Sequence, residues 1–101
     1  MIELTTKQKT HLRGLAQRLD AATSVGKAGL TDAVTATVSR LLDRHELVKI
    51  HIPAGPNEER QDTAQTLAQA TNAALVAVVG RMVVLYRPNE QLPAEKRLEL
   101  D

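Results

Sequence analysis

The chain has 101 residues and a net charge of +1, from 13 Lys and Arg against 12 Asp and Glu. That length supports one domain with its own core, and the absence of cysteine excludes disulfides and thiolate-metal sites. Tyr86 is the sole aromatic residue, which excludes a surface that stacks bases on aromatic rings.

A first helix is predicted from a Thr5 or Thr6 cap to about Leu19, because Leu12, Leu15, Ala16 and Leu19 recur at helical spacing. Its other positions carry Lys7, Lys9, His11, Arg13 and Arg18, and no acid falls between Leu4 and Leu19. Lys7, His11, Gly14 and Arg18 would share one side. An ordinary exposed helix mixes charge signs for mutual support. This one does not, which makes it a candidate anion-binding face.

Ala22 to Val25 is a short β-prone segment, and Val25-Gly26-Lys27-Ala28-Gly29-Leu30-Thr31 follows. Two glycines let a backbone pass a ligand closely, and the amides that open a helix attract anions. Lys27 adds a full charge at the tip. Thr31 is a good N-cap for a second helix to about His45, with Asp32 in its first turn and Val34, Val38, Leu41 and Leu42 as its stripe. Arg40 and Arg44 share another side of it.

From Glu46 to Ile52 the chain alternates, with Val48, Ile50 and Ile52 pointing one way and Lys49 and His51 the other. Pro53 to Pro56 ends the strand. Asn57 is the expected cap of a third helix through about Thr71. Glu58, Glu59 and Asp62 at its start would repel phosphate and belong away from a binding face. Ala74–Val79 and Met82–Arg87 read as strands joined by Gly80-Arg81, the glycine-first pattern of a type II′ hairpin. Both are apolar at nearly every position, so both faces of the sheet should be covered. The expected fold is α/β, in the order α-β-α-β-α-β-β: a mixed four-stranded sheet with two crossovers, packed with three helices. Residues 1–88 would form the domain and 89–101 a polar tail, docked through Leu92, Leu98 or Leu100.

Charge is uneven along the chain. Residues 5–52 hold eight Lys and Arg against Asp20, Asp32, Asp43 and Glu46, whereas residues 53–101 hold five against seven acids. A polar surface of this kind keeps an anionic partner in view. No P-loop or dinucleotide fingerprint occurs. His11, His45 and His51 are dispersed, Ser24 and Ser39 lack a nucleophile-elbow context, and no metal or cofactor motif is present. No apolar run is long enough to span a membrane, and Met1 to Leu4 lack the features of a secretory signal, so the expectation is a soluble, cytoplasmic, non-enzymatic protein.

Several blocks together carry a resemblance: Thr5-Thr6-Lys7-Gln8-Lys9, Leu12 to Leu15, the Val25–Thr31 loop, His45-Glu46-Leu47-Val48-Lys49-Ile50, and Val84-Leu85-Tyr86-Arg87-Pro88. In this order, over Thr5 to Pro88, the chain resembles the CRM domain, the family of chloroplast RNA splicing and ribosome maturation. It is similar above all to the stand-alone bacterial YhbY-like members. The resemblance implies a fold related to the C-terminal domain of a translation initiation factor. It also implies RNA binding in association with precursors of the large ribosomal subunit. Lys7 and Lys9 match the family's basic first helix and Gly26 to Gly29 its glycine loop, while Arg81 falls in the last hairpin, where members often carry a basic residue. The low net charge and the acidic segment from Glu90 to Asp101 depart from the pattern.

The residues expected to contact RNA are Lys7, Lys9, His11, Arg13, Arg18, Gly26, Lys27, Ala28, Gly29, Thr31, Arg40, Arg44, Lys49 and Arg81. In KH domains a comparable loop sits between helices and clamps the RNA backbone; here it would follow a strand. The partners expected are ribosomal RNA and, secondarily, ribosomal proteins, with the chain a monomer. The competing class is a protein-interaction module using the apolar hairpin, and a further alternative is a small phosphorylated ligand at the glycine loop.

Overall fold

The computed structural model describes residues 3–98. Helix α1 spans Thr6–Ala16 and opens with a reciprocal cap. The Gln8 amide donates to Thr5 Oγ1 at 3.1 Å and the Thr5 amide to Gln8 Oε1 at 3.0 Å. The helix stops at Ala16, short of the predicted Leu19. Beyond it the chain tightens into bonds from Arg18 N to Leu15 O and from Leu19 N to Ala16 O. The Lys49 ammonium donates to the Ala16 and Leu19 carbonyls, at 3.3 Å each, and so closes this end.

Strand β1 is only Thr23–Ser24, held by the parallel partners Ile50 and His51. Helix α2, Asp32–His45, starts at the Thr31 cap, whose Oγ1 accepts from Val34 N, and ends at Glu46. Strand β2, Leu47–His51, leads to helix α3, Asn57–Ala70. Asn57, the expected cap, is instead the first helical residue: Pro56 holds the N-cap position and makes no side-chain cap bond. At the other end Asn72, at φ +54°, reverses the chain. Ala73 N then bonds Ala68 O and Asn72 N bonds Gln69 O, a Schellman closure.

Strands β3, Ala74–Val79, and β4, Met82–Tyr86, form the predicted hairpin. Gly80 takes φ +57° while Arg81 stays out of the left-handed region, as a type II′ turn requires. The sheet order is β1-β2-β4-β3. β1 runs parallel to β2, and β2 and β3 both lie antiparallel to β4, so the two crossovers expected from sequence are present.

Each face of the sheet carries its own core. Val48, Ile50, Val83 and Leu85 pack with Val38 and Leu42 of α2 and Ala64 and Leu67 of α3. Leu47, Val76, Val84 and Tyr86 pack on the other face with Leu12 and Ala16 of α1. Alternate residues of β2 and β4 thus serve opposite faces, and β4 reads as a continuous apolar run for that reason. A register shift between Leu75 and Ala77 lets Leu75 and Val78 share one face of β3. Of the three docking residues suggested from sequence, Leu98 reaches the α1-side core, Leu92 packs against neither core, and Leu100 lies outside the described residues. Burial first, then the Glu46 carboxylate, raises the Tyr86 phenol above its ordinary pKa, with Arg97 pulling the other way.

Candidate nucleic-acid interface

Strand direction fixes what meets at the glycine-loop end of the sheet. β1 and β2 run the same way, Ser24 lies beside His51, and His51 lies opposite Met82. The glycine loop after β1, the start of α2 and the Gly80-Arg81 turn therefore share one end of the sheet. Arg81 is tied there by its Nε donating to Ile52 O at 3.2 Å, and its own carbonyl accepts from Ile52 N at 2.8 Å.

Within the loop, Gly29 N donates to Gly26 O at 3.0 Å, closing a turn with Lys27 and Ala28 exposed at its tip. Gly29 takes φ +78°, and a Cβ on either glycine would meet nothing within 4 Å. The approach to the loop is open. Among the described residues, the amides of Asp32 and Ala33 have no protein acceptor, and the α2 N-terminus adds its partial positive charge. The two glycines differ in kind. Gly29→Ala should cost about 1 kcal/mol through its left-handed backbone. Gly26→Ala should leave the melting temperature unchanged, and any loss of ligand affinity it causes reports close backbone approach. Thermal denaturation beside a binding titration separates the two effects.

Lys7, Lys9, His11 and Arg13 are exposed along α1, which crosses the sheet face opposite α2 and α3. Arg18 lies in the turn beyond Ala16 and so does not extend the helical row through Lys7, His11 and Gly14. Ion pairs join Arg87 to Asp43 and Arg97 to Glu46. None of Lys7, Lys9, Arg13, Arg18, Lys27, Arg40, Arg44 and Arg81 takes part in them.

The remaining expected contacts separate. The Thr31 hydroxyl serves as the α2 cap. Arg40 donates to Thr37 Oγ1 at 3.3 Å, and Arg44 sits in the last turn of α2, at the end of the sheet away from the loop. Lys49 commits its ammonium to α1, as described above. The acidic start of α3 lies at the same end of the sheet as the loop, against expectation, because the crossover to β3 must leave from the C-terminal end of β2. It packs toward β3, across the sheet from β1, and Arg60 there reaches the Gly80 carbonyl.

Sequence reasoning missed Gln65 and Gln69, which line a cleft with Lys9; polar helix positions give no signal of this kind until the packing of α3 against β3 is known. Among the described residues no helix is long and apolar enough to cross a membrane.

The model of the CRS1 / YhbY (CRM) domain family matches residues 4–87. The chain belongs to this family. The "RNA-binding protein" of Haemophilus influenzae is 38% identical to it over 90% of this chain and 92% of that protein. The "Probable RNA-binding protein YqeI" of Bacillus subtilis is 32% identical over 96% of this chain and 98% of that one. The solution structure of the hypothetical protein SAV1595 from Staphylococcus aureus superposes with a TM-score of 0.82 at 33% identity, covering 98% of this chain and all of that one. The α/β architecture of this CRM domain is thus shared along its whole length.

Proposed function

We propose that this CRM domain is a non-catalytic RNA-binding accessory factor, acting in the cytoplasm as a monomer on ribosomal RNA of large-subunit precursors. The observation that carries this reading is the row of exposed cations Lys7, Lys9 and Arg13 on α1, none of them in an ion pair among the described residues, together with the open Gly26–Gly29 loop. Lys7, Lys9 and Arg13 would straddle phosphates along the helix. Lys27, Arg81 and the loop amides would seat phosphate at the end of the sheet. The relatives named as RNA-binding proteins support the partner class, and the resemblance described above supports the ribosomal target.

Contacts of this kind read the backbone and release counterions. With about five phosphates engaged, affinity for structured ribosomal RNA should fall about 10²-fold between 50 and 200 mM salt. The variant Lys7→Glu/Lys9→Glu/Lys27→Glu should lower both affinity and the salt slope. A flat salt response in the unmodified protein would sink the mechanism. A second reading, docking on a ribosomal protein, draws on the partial exposure of Leu19 and Val79. Association of the charge-reversed protein with assembly particles, after its RNA binding is lost, would favour that reading.

A further inference from the structure

Helix α1 leaves part of its own sheet face bare. Leu47 of β2 and Val84 of β4 belong to the α1-side core, so His51 and Met82, on the same strands, turn to that side as well. The register aligns them: His51 lies beside Ser24 and opposite Met82, and Met82 lies opposite Val79. These four side chains form a row across the whole sheet, three inter-strand steps or about 14 Å long. Lys49, one row inward, receives the last carbonyls of α1, so the helix stops before it covers the row. Val79 is 45% exposed, and His51 and Met82 are half-buried. The His51 side chain has no hydrogen bond or ion pair among the described residues. Cations border the row on both sides. A cavity of about 70 Å³ brings Arg13 of α1 to Val79 and Met82. On the other side Arg81 precedes Met82, and Lys27 stands at the tip of the loop that follows β1. Neither the row nor the cavity holds an acid.

We infer that this row seats one unstacked nucleobase of a bound single-stranded RNA, laid on the His51 ring and the Met82 thioether. Its flanking phosphates meet Arg13 at one border and Lys27 and Arg81 at the other. The inference rests on the RNA-binding reading and adds a path that joins the α1 cations to the glycine loop. The occupant follows from what stands between the cations. An imidazole offers a planar face on which an unstacked base can lie, and a thioether packs favourably against an aromatic ring. Directly opposed residues of two strands have Cβ atoms about 5 Å apart, so one base spans both. An acidic peptide would satisfy the cations but gain nothing from a ring face beside a sulfur. Composition excludes a platform of several rings, and Tyr86 is buried in the core; one imidazole serves one base. Every base has a π-face, so the row takes a nucleotide without selecting a sequence.

The test titrates the full chain with oligouridylate, oligoadenylate and an abasic ribose-phosphate oligomer of equal length, at several salt concentrations. It is repeated on His51→Thr, which keeps strand propensity without a ring, and on His51→Phe, which keeps a ring without the imidazole nitrogens. His51→Thr should weaken both oligonucleotides about fivefold, while the salt slope and the affinity for the abasic oligomer stay as in the parent. His51→Phe should bind at least as tightly as the parent. In the parent, the His51 ring protons should move upfield in NMR spectra with either oligonucleotide and stay in place with the abasic oligomer. Equal affinity of the parent for the abasic oligomer and oligouridylate overturns the row assignment and leaves RNA binding standing. So does a His51→Thr protein that binds like the parent, or one whose salt slope falls, since the imidazole would then meet a phosphate. Oligoglutamate that displaces oligouridylate and moves the His51 signals equally assigns the row to an acidic peptide and overturns the inference. Absence of binding to either oligonucleotide and to ribosomal RNA overturns both readings.

Discussion

Replacing Glu46 by glutamine should destabilise the domain by about 2 kcal/mol and lower its melting temperature by about 10 °C. Glu46 has no solvent exposure. Its Oε1 accepts from Leu98 N at 2.7 Å and its Oε2 from Asn89 N at 2.6 Å, so both oxygens face amide donors. A carboxamide can accept at only one of these places and must turn an N–H toward the other. The backbone adds a second demand: Glu46 sits at φ +60° and ψ −41° as the C-cap of α2. Such a conformation costs a non-glycine residue about 1–3 kcal/mol. Glu46→Ala keeps that strain and loses both acceptors, so it should be the worst variant. Glu46→Gly should be milder, because it relieves the strain. The Arg97 contact, at 3.7 Å from a partly exposed guanidinium, contributes little. Urea denaturation of the three variants gives the order directly. A Glu46→Gln protein as stable as the parent would refute the carboxylate clamp.

The clamp also marks where sequence reading stops. Elements with periodic patterns and strong local signals were legible. The Thr31 cap, the Val38 and Leu42 stripe, and the Gly80-Arg81 hairpin all stand where the residues placed them. Apolar residues on both faces of β4 implied helices on both sides, and α1 lies opposite α2 and α3. What escaped is fixed by partners distant in sequence. Glu46 looks like a solvated residue before a strand until Asn89 and Leu98 fold over it. Lys49 reads as an exposed strand cation, yet α1 ends within reach of its ammonium and takes its charge. Those two bonds close α1 at Ala16, short of the Leu19 boundary that its spacing suggested. The glycine loop was legible in its turn chemistry. The cleft beside Lys9 was not, because α1, α3 and β3 meet there only in the folded chain.

Arg87 should prove the larger single anchor: Arg87→Met is expected to cost about 3 kcal/mol. Its Nη1 donates to Thr71 O at 2.6 Å and to Ser39 Oγ at 3.1 Å. Its Nη2 donates to Ser39 O at 2.7 Å and to Asp43 Oδ1 at 2.7 Å. One planar fork thereby joins the exit of β4 to the second half of α2 and the end of α3, which has no basic residue in its own last turn. Without it the Thr71 carbonyl, on a buried residue, is left with no side-chain donor. Arg87→Lys should recover only part of the loss, because an ammonium cannot span both helices. Asp43→Asn provides the decisive control. The Asp43 side chain is 64% exposed, so that ion pair should be worth less than about 1 kcal/mol. If Asp43→Asn costs as much as Arg87→Met, the anchor is the surface ion pair and the reading in terms of helix carbonyls fails. Arg87 lies at the end of the sheet away from Gly26–Gly29 and Arg81. Below its lowered melting temperature, Arg87→Met should therefore bind RNA like the parent, which distinguishes a fold anchor from a contact residue.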